Sequence, residues 1–239
     1  MFFKLIEFIK NYNNIPKPLI NLIGSKKKTV AIVGNSEILK DREYGKIIDD
    51  HDFIIRFNRS PIINYEKIVG SKTHLRVCGQ RVFENREYPV PGLEYYGDRA
   101  NYIKKLKNSN ILVYHNNNDE SLYNSNIKNY TSETNNILYF HLKYEKYLKF
   151  KITSHLNISK RIKIYKLNKI FTSGMITLAT LVLNNFKPSV FGFSLNKSSS
   201  FYTSYWQKGG EIKKPVHELN IENELLEIFI KKKKIKYFD

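Results

Sequence analysis

Short apolar runs rich in β-branched and aromatic residues alternate along this chain with longer stretches of helical patterning. The runs are Thr29–Val33, Phe53–Phe57, Thr73–Cys78, Ile111–Tyr114, Ile137–Phe140, Ser189–Phe193 and Ile235–Phe238. Helix-like segments lie between them at residues 37–48, 62–69, 99–107, 174–185 and 218–231. Such alternation predicts the α/β class: a doubly wound, mainly parallel, Rossmann-like sheet with helices on both faces. In that architecture ligands sit beyond the carboxyl ends of the strands. Val30-Ala31-Ile32-Val33 runs into Gly34-Asn35-Ser36 at one such end and then into a helix-like segment. A helix start presents free backbone N–H groups and a positive dipole end to an anion such as a nucleotide phosphate. The same three residues also read as an ordinary turn with an N-cap.

The pattern shows no internal repeat. It divides the chain into an amphipathic, basic segment over residues 1–28 and one domain over residues 29–239. Residues 80–97, with Tyr88-Pro89-Val90-Pro91-Gly92, carry turn chemistry, and residues 115–136 are rich in Asn and Ser, so both read as surface loops. Met1–Lys10 lacks the charged n-region and cleavage site of a signal peptide, and no apolar run is long enough to span a membrane. It reads as a short amphipathic helix, packed on the domain or laid on a membrane surface.

Composition changes this picture in two respects. The 239 residues carry 40 Lys+Arg against 22 Asp+Glu, a formal charge of +18, which suits nucleic acid, an anionic membrane or an anionic substrate. Heavy use of Lys, Asn, Ile and Tyr along the whole chain accounts for much of that excess; Lys26–Lys28 and Lys231–Lys234 are the local concentrations. The lysine run at residues 231–234 reads either as a solvated helix end complementing the dipole or as a membrane contact. The single cysteine, Cys78, permits no intramolecular disulfide, which suits a reducing cytoplasm.

Three further segments carry candidate chemistry. Thr172-Ser173-Gly174 precede an apolar helix, so that start could cradle an anion or ribose, or be a plain N-cap. Phe201-Tyr202-Thr203-Ser204-Tyr205-Trp206 is a dense aromatic and hydroxyl cluster: a core corner, or phenolic donors beside a stacking wall. His217 opens the last helix, whose Ile221, Leu225, Ile228 and Phe229 form one apolar face. The positive end of a helix disfavours imidazolium and keeps the neutral ring that a general base needs; a structural histidine is the competing reading.

Together these segments resemble the sialylmotifs of the eukaryotic-type sialyltransferases, glycosyltransferase family 29. Val33-Gly34-Asn35-Ser36 through Asp52-Phe53, Arg56-Phe57-Asn58, Tyr65-Glu66 and Val69-Gly70-Ser71-Lys72-Thr73 resembles the large motif. Thr172-Ser173-Gly174 with Phe191-Gly192-Phe193 is similar to the small motif, and Ser204-Tyr205-Trp206 to the third. His217 and Glu222 match the His-x4-Glu of the very small motif. The order and spacing agree.

The resemblance implies a GT-A-like variant of the doubly wound fold. It also implies inverting, single-displacement transfer from CMP-sialic acid to a glycan hydroxyl, without metal or other cofactor. Asn35 and Asn58 would hold the CMP phosphate and ribose, with Ser36 and Gly192 in the same site. Thr172, Ser173 and Gly174 would contact the nucleotide, and Tyr202 or Tyr205 would supply the phosphate donor that the third motif usually provides. His217 would deprotonate the acceptor, and Glu222 would support its helix. Many relatives pair a cysteine of the large motif with one of the small motif; here Val30 and Asn185 lie in those neighbourhoods. A membrane anchor and stem are also missing, and the expectation is a cytoplasmic enzyme, peripheral to the inner face of the membrane if its glycan acceptor is lipid-linked. Asp50-His51-Asp52 matches the Asp-x-Asp of other glycosyltransferases but precedes a strand, which puts it at the amino end of the sheet, away from the ligand edge. A CMP-Kdo-dependent transferase is the nearest alternative. A basic nucleic-acid-binding protein is the alternative from another class, but no aromatic–basic signature supports it.

Overall fold

The computed structural model describes residues 17–58, 60–79, 110–114, 137–140, 148, 151–152, 156, 171–195, 204–205 and 219–239. These form a seven-stranded sheet of β1 (Val30–Val33), β2 (Phe53–Phe57), β3 (Leu75–Gly79), β4 (Asn110–Tyr114), β5 (Ile137–Phe140), β6 (Ser189–Phe191) and β7 (Lys236–Phe238). The order is β5-β4-β3-β2-β1-β6-β7, and every neighbouring pair is parallel. From β1 the chain steps outward through β2 to β5, then returns to lay β6 and β7 on the other side of β1. The order therefore reverses between β1 and β6, where a doubly wound sheet opens its ligand crevice.

Right-handed crossovers that travel in opposite directions place their helices on opposite faces, and the core divides accordingly. One face carries α1 (Lys17–Ile23), α4 (Ser173–Leu183) and α5 (Leu219–Lys231), which pack Leu19, Ile23, Met175, Leu178, Leu225 and Phe229 onto Ile32, Ile55 and Val77. The other carries α2 (Gly45–Asp49) and α3 (Glu66–Val69), with Ile48 and Val69 against Ala31, Val33, Ile54 and Phe191. Alternate residues of β1 and β2 enter opposite clusters, as the pleat requires. Leu19 and Ile23 are fully buried in the larger cluster, so residues from Leu19 onward share the core of the domain that the sequence pattern starts at residue 29.

Two helices expected from sequence are shorter than their patterning. Residues 37–48 form a 3-10 turn, Glu37–Leu39, and the separate five-residue α2. Lys40, Asp41, Arg42 and Glu43 between them offer no apolar group to the sheet. At Gly45 a Cβ would stand 2.0 Å from the Glu66 carbonyl oxygen, so α2 starts where only glycine allows close packing on α3. Residues 62–69 keep only Glu66–Val69 as helix, because Asn64 is left-handed at φ 70°. The segment at 99–107 and both expected loops lie outside the described residues, apart from 115–136 being flanked by β4 and β5.

Two arginines are buried in the strands. Arg56 Nη2 donates to the carbonyls of Val69 (2.6 Å) and Lys72 (2.9 Å), and its Nε donates to Thr73 Oγ1 (2.9 Å). A cation is thus held against the carbonyl end of α3. At the amino edge, His74 Nδ1 accepts the Ile54 N–H at 3.0 Å, and its ring stacks on Phe53. Burial, with Lys72 and Lys28 nearby, lowers its pKa below the ordinary 6.5. The unfolded chain then binds this proton near 6.5 and the folded chain only at lower pH. Its contribution to stability is complete above 6.5 and lost as pH falls through the folded value. Denaturant unfolding from pH 7 down to about 5 should show wild type losing more stability than His74→Asn, which keeps an acceptor without the charge. Parallel profiles would refute this.

Candidate active site

The site grows from four backbone ends at the carboxyl edge of the sheet. β1 ends in Gly34, whose N–H donates to the Phe191 carbonyl at 2.7 Å. A Cβ on Gly34 would lie 2.3 Å from the Gly192 carbonyl oxygen, so the ends of β1 and β6 touch as bare backbone. Gly192 itself is left-handed (φ 67°), which stops β6 at Phe191, short of the Ser189–Phe193 run, and aims Phe193 towards α4. The Phe193 ring lies where a Cβ on Gly174 would come within 3.1 Å, and stands edge-on to Phe57 at the end of β2. The switch point, the start of α4 and the end of β2 are therefore in contact.

Asn35 follows Gly34 at this crevice. Its carbonyl accepts the Tyr205 N–H at 3.0 Å, while its side-chain Oδ1 is buried with no hydrogen-bond partner among the described residues. A buried amide oxygen left unmatched is costly unless a ligand or water completes it. Ser36 is built into the fold: it is 3% exposed, its N–H donates to the Gly192 carbonyl, and its Oγ caps Ile38 at 3.5 Å. Ser36 also bridges Ser204, so residues 204–205 close over the end of β1. The Tyr205 hydroxyl donates to the Pro61 carbonyl and its ring stands edge-on to Tyr65. Of the two phenols expected to serve a phosphate, Tyr205 is thus buried and turned to the protein backbone, a correction to that expectation. Its hydroxyl reaches the loop after β2 because the chain at 204–205 lies across that loop. Tyr202 lies outside the described residues.

The start of α4 permits an accounting of its donors. Thr172 caps the helix, with Oγ1 accepting the Met175 N–H at 3.1 Å. Glu222, in the first turn of α5, takes the Thr172 N–H on Oε1 (2.6 Å) and the Thr172 hydroxyl on Oε2 (2.7 Å). Among the described residues this leaves the N–H groups of Ser173 and Gly174, and the Ser173 hydroxyl, without a protein acceptor or donor. Two helix starts thus meet through one buried carboxylate, and α4 retains an anion cradle. Thr172, expected to contact nucleotide, has its hydroxyl engaged on both sides and acts as the joint that presents Ser173 and Gly174. Glu222, expected to support its helix, joins the first turn of α5 to the cap of α4. His217 lies outside the described residues, two positions before Leu219.

Asn58 ends β2 in a left-handed conformation (φ 49°), with its N–H bonded to the Val77 carbonyl. Arg76, fully buried in β3, donates from Nη1 to the Asn58 carbonyl (2.9 Å) and to Ser60 Oγ (3.0 Å). Sequence reasoning passed over Arg76; the signal was a cation between Leu75 and Val77 in an otherwise apolar strand. Asp50-His51-Asp52 lies at the opposite, amino edge. Asp52 accepts from the Thr29 N–H and hydroxyl, both at 2.8 Å, and these bonds hold its carboxyl below the usual range.

A family model described as glycosyltransferase family 29 (sialyltransferase) matches residues 4–234. The chain is 41% identical over 75 residues to a chicken (Gallus gallus) CMP-N-acetylneuraminate-beta-galactosamide-alpha-2,3-sialyltransferase 1, covering 27% of this chain and 22% of that protein. It is also 34% identical over 85 residues to a beta-1,6-galactosyltransferase of Arabidopsis thaliana, covering 32% of this chain and 21% of that one. The aligned part thus spans about a fifth of the length of these curated relatives. A crystal structure of a mammalian sialyltransferase superposes with TM-score 0.62 over 95% of this chain and 78% of the other, at 20% identity, a likeness of fold. With its motifs in order and the family model matched almost end to end, the chain belongs to glycosyltransferase family 29.

Proposed function

We propose that this protein is an inverting sialyltransferase that transfers sialic acid from CMP-sialic acid to a hydroxyl of a glycan acceptor, without metal. The acceptor oxygen attacks the anomeric carbon, the bond to the CMP phosphate breaks, and the acceptor proton passes to His217. The observation that carries this reading is the unmatched donor–acceptor set at the switch point. The Asn35 Oδ1 needs a donor, which a ribose hydroxyl supplies, while Ser173 and Gly174 N–H groups need an acceptor, which a phosphate supplies. A monophosphate leaving group carries less charge than a diphosphate, so helix dipoles and amides can stabilise it in place of a cation.

Thermal unfolding in EDTA with CMP, UMP and GDP tests it. CMP at 100 times its dissociation constant should add about 2.7 kcal/mol of stability, with smaller shifts from UMP and GDP. Asn35→Ala should lose most of the CMP shift while keeping its own melting temperature close to wild type. No CMP shift, or an equal one with UMP, would count against the reading. The sugar transferred is then identified from the mass of the product formed from CMP-sialic acid or CMP-Kdo.

A further inference from the structure

The fold collects lysines from distant parts of the chain on the edge of the sheet opposite the candidate site. In a parallel sheet every segment entering a strand arrives at one edge. Lys26 to Lys28 precede β1, Lys72 precedes β3, Lys187 precedes β6, and Lys231 to Lys234 precede β7. All are exposed. The backbone register holds these approaches side by side: Phe53 N–H bonds to the Thr29 carbonyl, and Lys236 N–H to the Pro188 carbonyl. Across the four spacings from β3 to β7 the edge is roughly 19 Å wide.

Of Asp49, Asp50 and Asp52 on this edge, the first and last are engaged by the fold and Asp50 is exposed. The Asp49 carboxylate accepts the Ser71 N–H at 2.7 Å and the Ser71 hydroxyl at 2.8 Å, and Asp52 is bound to Thr29. Lys233 is left-handed (φ 52°), at a helix end where glycine is the easy residue. A helix dipole is complemented by a single cation, so four successive lysines exceed what α5 requires.

We propose that this amino-terminal edge is a docking surface for an anionic lipid bilayer, which leaves the carboxyl edge facing away from the membrane. Lysine supplies diffuse point charge, whereas the forked guanidinium that suits nucleic-acid phosphates and bases is absent from these loops. No described aromatic side chain is an exposed platform on which bases could stack, since the exposed large apolar residues are Ile47 and Ile63. A fluid sheet of anionic headgroups matches a broad array of point charges.

Co-sedimentation with vesicles tests the surface and needs no donor sugar, so it is decided independently of the transferase reading. The full chain should pellet with phosphatidylcholine vesicles containing about one third phosphatidylglycerol and stay in solution with phosphatidylcholine alone. Added salt should release it as screening shortens. Each lysine near such a surface is worth about a five-fold change in partition. Glutamine at residues 231–234 should therefore weaken binding by more than about 100-fold, and glutamine at residues 26–28 by about 100-fold. Both variants should keep wild-type melting and wild-type CMP-induced stabilisation. If the tail variant fails to fold, the 26–28 variant decides alone. Undiminished binding by the 26–28 variant would overturn the edge as the surface. Equal binding to uncharged vesicles, or tighter binding to duplex DNA at the same phosphate concentration, would overturn the lipid assignment.

Discussion

Alanine at His217 is expected to lower turnover by about 10²–10⁴-fold, the usual contribution of a positioned general base. The acceptor hydroxyl is a poor nucleophile until its proton has somewhere to go, and a neutral imidazole near pH 7 is the side chain suited to take it. His217 stands two positions before α5, whose first turn is tied through Glu222 to the start of α4. The proposed phosphate cradle and the proposed base thus depend on one joint. CMP-induced stabilisation should survive the substitution, because the proposed base would act on the acceptor and not on the nucleotide. Transfer rates on a soluble glycan, compared with melting curves with and without CMP, separate the two readings. A structural histidine would give a destabilised protein with full turnover per folded molecule.

Removal of the joint should produce the largest loss of stability at the site. The Glu222 carboxylate is 6% exposed and accepts two hydrogen bonds from Thr172, at 2.6 and 2.7 Å. Bonds to a charged acceptor are each worth about 1.5–3 kcal/mol, and Glu222→Ala leaves the part-buried Thr172 donors without it. A loss of about 3–5 kcal/mol is expected, which for a chain of this size lowers the melting temperature by on the order of 10 °C. Glu222→Gln retains one acceptor oxygen and should lose about 1–3 kcal/mol. Thr172→Val should lose less than Glu222→Ala, and the double variant should lose less than the sum, since both remove the same contact. CMP affinity should fall with each, because Ser173 and Gly174 are no longer presented. Strict additivity of the two substitutions would refute the joint.

Local pattern carried much of the fold. Apolar runs of strand length placed β1, β2 and β5 to within a residue of their ends, because a buried parallel strand needs little beyond its own side chains to be recognised. The 3.6-residue stripe of α5 and the hydroxyl before α4 were equally legible. Glycine and asparagine after β1 marked the carboxyl end of that strand, because a strand-to-turn junction is a short-range device. The interruption of the helix at 37–48 was not legible, since Gly45 answers to the Glu66 carbonyl, a neighbour that exists only once α3 is packed. Glu222 was legible only as a carboxylate in the first turn of α5; its partner Thr172 lies 50 residues away and is chosen by the meeting of two helix starts. Arg76 looked like an intrusion into a strand until the fold brought the Asn58 and Ser60 oxygens to its guanidinium. Lysine runs near the two ends of the chain were visible as charge, but their shared edge was not. Strand order and parallel direction, set by long-range pairing, decide which loops become neighbours, and no periodicity along the chain encodes that choice.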